Sequence, residues 1–188
     1  MINNITLKYI IFILLIFSCT NQKAEQLQNG GSRFSSATIS QKQNKAALPY
    51  KDSIDTKNTQ PENLIQFAKT LIGVPYKYGS TNKNEGFDCS GFITYVFNHF
   101  DIAVPRSSVD FTYVSNEVKL SNSKPGDLIL FTGTDSTKRI VGHMGIITQT
   151  VDSVKFIHAT SGKAYSVTET LLNKYYQGRF MKIIRIFK

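Results

Sequence analysis

Tryptophan is absent from the 188 residues, an absence that excludes little because 13 Phe and 9 Tyr supply large apolar side chains. Other shortages say more. Two cysteines, Cys19 and Cys89, are too few for a disulfide framework. The 22 Lys and Arg against 13 Asp and Glu give a formal charge of +9, yet no Lys/Arg-rich run and no zinc-finger spacing accompany it. Nucleic acid is therefore not an expected partner. A scattered basic surface suits an anionic wall polymer or lipid headgroups, or simply keeps the chain soluble. No internal repeat and no second domain show in the pattern. What remains is 41% apolar residues, enough for the core of one ordinary domain.

The apolar stretch at residues 9–17, YIIFILLIF, follows Lys8. Its nine residues fall short of the roughly 20 that a helix needs to cross a bilayer, and suit the core of a secretory signal. It ends in Ile16-Phe17-Ser18-Cys19, which resembles a bacterial lipoprotein signal. That resemblance implies cleavage after residue 18 and lipidation of Cys19, with several acyl chains giving stable membrane anchoring. The expected location is the periplasmic face of a bacterial envelope, with the outer membrane of a Gram-negative bacterium favoured. An ordinary signal peptide with a coincidental cysteine is the alternative. Residues 19–60 are rich in Asn, Gln, Ser, Thr and Lys and short of apolar residues, the composition of a flexible tether. Some forty such residues would reach on the order of 35 Å.

Residues 61–188 read as the folded domain. Pro61-Glu62 suits a helix start, and Leu64, Ile65, Ala68, Leu71 and Ile72 follow at helical spacing before Gly73. A second helix opens at Cys89, with Phe92, Ile93, Val96, Phe97 and Phe100 as its apolar stripe. Short β-like runs then occupy residues 127–131, 143–148, 154–158 and 180–187, separated by turns such as Lys124-Pro125-Gly126. Helices first and a sheet after argue α+β, a helical layer on an antiparallel sheet.

The start of a helix favours the thiolate of a cysteine placed there, which makes Cys89 a candidate nucleophile; an inert core thiol is the plainer reading. A nucleophile needs a base within reach and a third group to orient the base. His143 and His158 are the right types, and if their strands pair through residues 149–153 they lie toward one end of the sheet. Gly145 leaves room for another element to approach. His99 lies ten residues along the helix, roughly 15 Å from Cys89, too far for a base. A Cys-His-His zinc site is the competing use of the same ligands.

Several blocks in order carry a specific resemblance: Gly73-Val-Pro-Tyr-Lys-Tyr-Gly79, Phe87-Asp-Cys-Ser-Gly-Phe92, Val104-Pro-Arg-Ser-Ser108, Pro125-Gly-Asp-Leu-Ile-Leu-Phe131, Gly142-His-Met-Gly-Ile146 and Phe156-Ile-His-Ala159. The domain resembles the NlpC-type, papain-like cysteine peptidases of bacterial peptidoglycan. The resemblance implies a papain-like α+β fold and a monomer without cofactor or metal. It also implies hydrolysis of a stem-peptide amide, typically between γ-linked D-glutamate and the following diamino acid. By motif, Cys89 would be the nucleophile, His143 the base and His158 the orienting residue. Tyr76 and the Cys89 N–H would serve the oxyanion, and Asp88, Ser90 and Ser108 would line the pocket for the L-alanine end. Arg106 would be a packing or ion-pair residue. A Cys89–His143 ion pair would keep alkylation of the thiol fast well below pH 8.5. No SH3-like module precedes the domain, so targeting is expected from the anchor or the domain itself. Two alternatives stay open: a catalytically silent wall-binding lipoprotein, and a thiol amidase or acyltransferase on another substrate.

Overall fold

The computed structural model describes residues 54–114 and 116–188. The signal, the Cys19 lipidation site and most of the tether lie outside the described residues. Packing reaches back to Ile54, which is buried against the core. No helix among the described residues is long and apolar enough to cross a membrane.

Helix α1, Pro61–Lys69, begins on its proline and buries Leu64, Ile65 and Ala68. It tightens into i to i+3 bonds at Leu71 N–H to Ala68 O and Ile72 N–H to Lys69 O, and the chain turns at Gly73 with φ +90°. That is the left-handed conformation glycine adopts without a steric penalty. A small hairpin follows, β1 (Thr81–Asn82) with β2 (Gly86–Phe87). It leads directly into α2, Cys89–Asn98.

Six further strands form one antiparallel sheet: β3 (Glu117–Val118), β4 (Leu128–Thr132), β5 (Val141–Gln149), β6 (Lys155–Ala159), β7 (Val167–Leu171) and β8 (Phe180–Ile184). Their order is β3-β8-β4-β5-β6-β7. One face carries Leu128, Leu130, Met144, Ile146 and Ile157 in a single apolar cluster with Phe92, Ile93, Val96 and Phe97 of α2. Full burial of each of these four helix side chains stabilises the fold by roughly 1.5–3 kcal/mol. The opposite face carries Ile129, Phe131, Ile147, Phe156 and Ile183, covered by Tyr176 of α3 (Lys174–Arg179).

The α+β expectation matches this architecture, and the differences are local. Helix α2 stops at Asn98, so Phe100 lies beyond it and packs edge-on against Phe67. His99 stacks flat on Phe67 with ring centroids 3.6 Å apart, at the far end of the helix from Cys89. Strand β7 and helix α3 have no counterpart in the sequence reading, and α3 places a helix after the sheet has begun. The close approach at Gly145 is made by β6 itself: an added Cβ would lie 2.7 Å from Phe156 Cδ2 and 2.8 Å from Ile157 O.

Candidate active site

Cys89 is the first residue of α2, and Asp88 is the residue that caps it. The Asp88 carboxylate accepts from the Gly91 and Gly79 N–H groups and from both terminal nitrogens of Arg106, at 3.1 and 2.9 Å. Arg106 also donates to Ser90 Oγ at 2.9 Å. Gly91 is required here because a Cβ would sit 2.0 Å from Ser80 O. The Asp88–Arg106 pair thus clamps the turn that delivers Cys89. Asp88 and Ser90 are buried and Ser108 opens a 3-10 turn at residues 108–113; none of the three lines the groove described next.

A groove of about 1020 Å³ opens beside the sulfur, lined among others by Tyr76, Cys89, Gly142 and His143. Tyr76 is brought there by a bridge to Phe87 and by its N–H bond to Tyr165 O at 2.9 Å. Cys89 Sγ lies 3.8 Å from Gly142 O, the carbonyl just before His143. His143 sits on the α3 face of the sheet near the start of β5, so nucleophile and histidine come from opposite layers and meet at the groove.

Behind His143 runs a line of hydrogen bonds. His143 Nε2 is 2.8 Å from His158 Nδ1, and His158 Nε2 is 3.0 Å from Thr170 Oγ1. With Nε2–H of His143 donating to His158 Nδ1 and Nε2–H of His158 donating to Thr170, His143 Nδ1 carries the free lone pair. That tautomer is the one a base needs. The two imidazoles engage each other, so they do not converge with Cys89 on one point, and among the described residues no group of three His, Cys, Asp or Glu is arranged to hold a metal. The Tyr176 ring packs against both imidazoles, at centroid distances of 6.2 Å from His143 and 5.5 Å from His158.

The electrostatics keep the pair neutral. Burial holds His143 well below the usual imidazole value, helped by His158 and the Arg179 charge; burial and Arg179 bring His158 down to about 3. Burial pushes the Cys89 thiol up to about 11, with Asp88 adding to it, while the N–H groups of Ser90 and Cys89 and the Arg106 charge pull the other way. Burial thus opposes the helix start at Cys89, and the pull toward the thiol is the larger of the two. Tyr76 is also raised, by burial first and then by Cys89, which keeps its hydroxyl a donor.

Three groove residues escaped the sequence reading. Thr170 belongs to a strand whose alternation, Val167-Thr-Glu-Thr-Leu171, is short and polar. Tyr176 and Arg179 stand on a six-residue helix, too short to show a period. Arg179 is 7% exposed and lines the groove; its Nε donates to Gly133 O at 3.0 Å and its two terminal nitrogens to Tyr175 Oη at 2.7 Å and Thr132 O at 2.9 Å.

Known proteins resemble this chain in sequence and fold. Residues 73–185, more than half of the chain, match the NlpC/P60 family. A gamma-DL-glutamyl hydrolase of Bacillus subtilis is 35% identical over 136 residues, covering 72% of this chain and 32% of that protein. A probable endopeptidase NlpC homolog of Haemophilus influenzae is 29% identical over 116 residues, 61% of this chain and 57% of its own. Among solved structures, an NlpC/P60 family protein from Bacillus cereus superposes with a TM-score of 0.63 at 28% identity, over 71% of this chain and 42% of that one. The chain spans about a third of the length of the Bacillus subtilis relatives it matches. Fold and sequence agree: the chain belongs to the NlpC/P60 family.

Proposed function

We propose that the chain is a cysteine endopeptidase of peptidoglycan stem peptides, cutting the amide between γ-linked D-glutamate and the following diamino acid. The observation that carries this is the line Thr170–His158–His143 ending in a groove that also holds Cys89 at a helix start. Its supports are the family and relatives named as gamma-DL-glutamyl hydrolase and peptidoglycan endopeptidase.

Cys89 Sγ attacks the carbonyl carbon while His143 Nδ1 takes its proton, which suits a thiol that is protonated at rest. The developing oxyanion accepts hydrogen bonds from the Tyr76 hydroxyl and the Cys89 N–H. Collapse breaks the C–N bond as His143 returns the proton to the leaving amine, leaving a thioester on Cys89. Water then attacks the thioester, again giving its proton to His143, and the acid product leaves with the thiol restored. His158 and Thr170 hold His143 in the competent tautomer throughout. Asp88, Ser90 and Ser108 are assigned to the L-alanine end of the substrate, which then extends beyond the groove to the turn that Asp88 and Arg106 clamp. The enzyme acts as a monomer, tethered through lipidated Cys19 at the periplasmic face of the envelope.

A second reading, a silent wall binder, draws on the protonated thiol and its contact with Gly142 O instead of an imidazole. Digestion of purified muropeptides distinguishes the two. The peptidase reading expects new fragments ending at γ-D-glutamate, lost in Cys89→Ala. Peptidoglycan retention without any new fragment from the intact chain would overturn it.

A further inference from the structure

Arg179 carries a buried charge that no carboxylate among the described residues pairs with. Its side chain is almost wholly buried, stacked on the rings of Tyr175 and Tyr176 with its carbon 5.0 and 5.7 Å from their centroids. Its three recorded hydrogen bonds go to two main-chain carbonyls and one phenol, all neutral. Among the described residues no carboxylate lies within 4.0 Å of it. A guanidinium has five N–H donors, so two remain on a residue that lines the groove. Buried charges are ordinarily paired, and an unpaired one is costly unless a ligand supplies the counter-ion. The rest of the groove points the same way: its other charged residue is Lys163, and no Asp or Glu lines it.

The position of Arg179 says which part of a substrate it meets. Its hydrogen bonds go to Thr132 and Gly133 at the end of β4, where Phe131 pairs with His143 of β5. It therefore stands on the His143 side of the sulfur. The leaving amine receives its proton from His143, so the leaving fragment lies on that side as well.

We propose that Arg179 is a specificity-determining residue that recognises a carboxylate on the leaving fragment, and hence selects a diamino acid whose side chain ends in a carboxylate beside its amine, diaminopimelate, over lysine. The inference rests on the peptidase reading above. The two N–H donors left over on the guanidinium match a carboxylate in charge and in hydrogen-bonding type.

The test uses the full-length chain carrying Cys89→Ala, titrated calorimetrically with two synthetic tripeptides, L-Ala-γ-D-Glu followed by meso-diaminopimelate or by L-lysine. Buried charge-assisted hydrogen bonds lead us to expect the diaminopimelate peptide to bind about 10- to 100-fold more tightly. Adding Arg179→Gln brings its affinity down to that of the lysine peptide, and Arg179→Lys retains part of the preference. A preference below about threefold overturns the proposal, since a single charge-assisted bond exceeds it. So does a preference that persists in Arg179→Gln, or failure of the Cys89→Ala chain to bind either peptide. The first comparison needs no change at Arg179, so misfolding of a variant does not blunt it. Cleavage of both peptides by the wild type at equal kcat/KM would sink this proposal and leave the peptidase reading standing. Selective binding without cleavage would do the reverse.

Discussion

At the scale of single residues, burial weighs against charge on Cys89, His143 and His158 alike. His143 and His158 are held neutral in the fold by burial and by the Arg179 charge. The unfolded chain takes up protons near 6.5 and the fold does not, so stability falls as pH drops below 6.5 and continues to fall toward about 3 for His158. Chemical denaturation across that range is expected to show the fall, with a shallower slope in His158→Gln; parallel slopes would contradict the assignment. The thiol titrates upward, to about 11. Alkylation of Cys89 should therefore climb through the alkaline range, and fast alkylation near pH 6 would mean that an ion pair forms after all. Thr170 Oγ1 holds His158 Nε2, so Thr170→Val should lower kcat several-fold with little change in KM, and Thr170→Ser should restore it. Removing the base itself, in His143→Ala, is expected to cost about 10²–10⁴ in kcat.

At the scale of elements, three pieces must meet: the start of α2, the start of β5 and the β6–β7 pair. The first was legible because its residues are close in sequence. Asp88 caps the helix, Gly91 clears Ser80 O, and the apolar stripe after Cys89 has a clear period. The strands carrying the two histidines were legible for the same reason, as apolar runs bounded by turns. Strand β7 and helix α3 were not. Thr168, Glu169 and Thr170 are half-buried polar residues that look like loop, and their pairing with His158, Ile157 and Phe156 is a long-range fact. Arg179 resembled any surface arginine until the fold stacked it on two tyrosines. The helix start at Cys89 was legible as a local field favouring a thiolate, whereas the opposing burial comes from the fold around it. The β5–β6 contact supplies a test at this scale. In Gly145→Ala the new methyl meets the Ile157 carbonyl, which is backbone and cannot swing aside. Overpacking of this kind costs about 1–3 kcal/mol, and it should lower both Tm and activity by parting the histidine strands. Unchanged Tm would show that the two strands tolerate a wider spacing.

At the scale of the whole molecule, the two layers have divided tasks. The α2 layer supplies the nucleophile and its clamp, Asp88 with Arg106. The α3 face of the sheet presents the proposed base and its orienting line on β5, β6 and β7, and α3 itself adds the buried Arg179. The sheet between them carries apolar clusters on both faces, which fixes the distance across which sulfur and imidazole cooperate. The proposed peptidase chemistry requires that the substrate carbonyl carbon become bonded to Cys89. Acid quenching of the enzyme during turnover of L-Ala-γ-D-Glu-diaminopimelate, followed by peptide mapping by mass spectrometry, tests it directly. The expected product is an L-Ala-γ-D-Glu thioester on the peptide containing Cys89. Turnover with no adduct at Cys89, or turnover that survives Cys89→Ala, would contradict it.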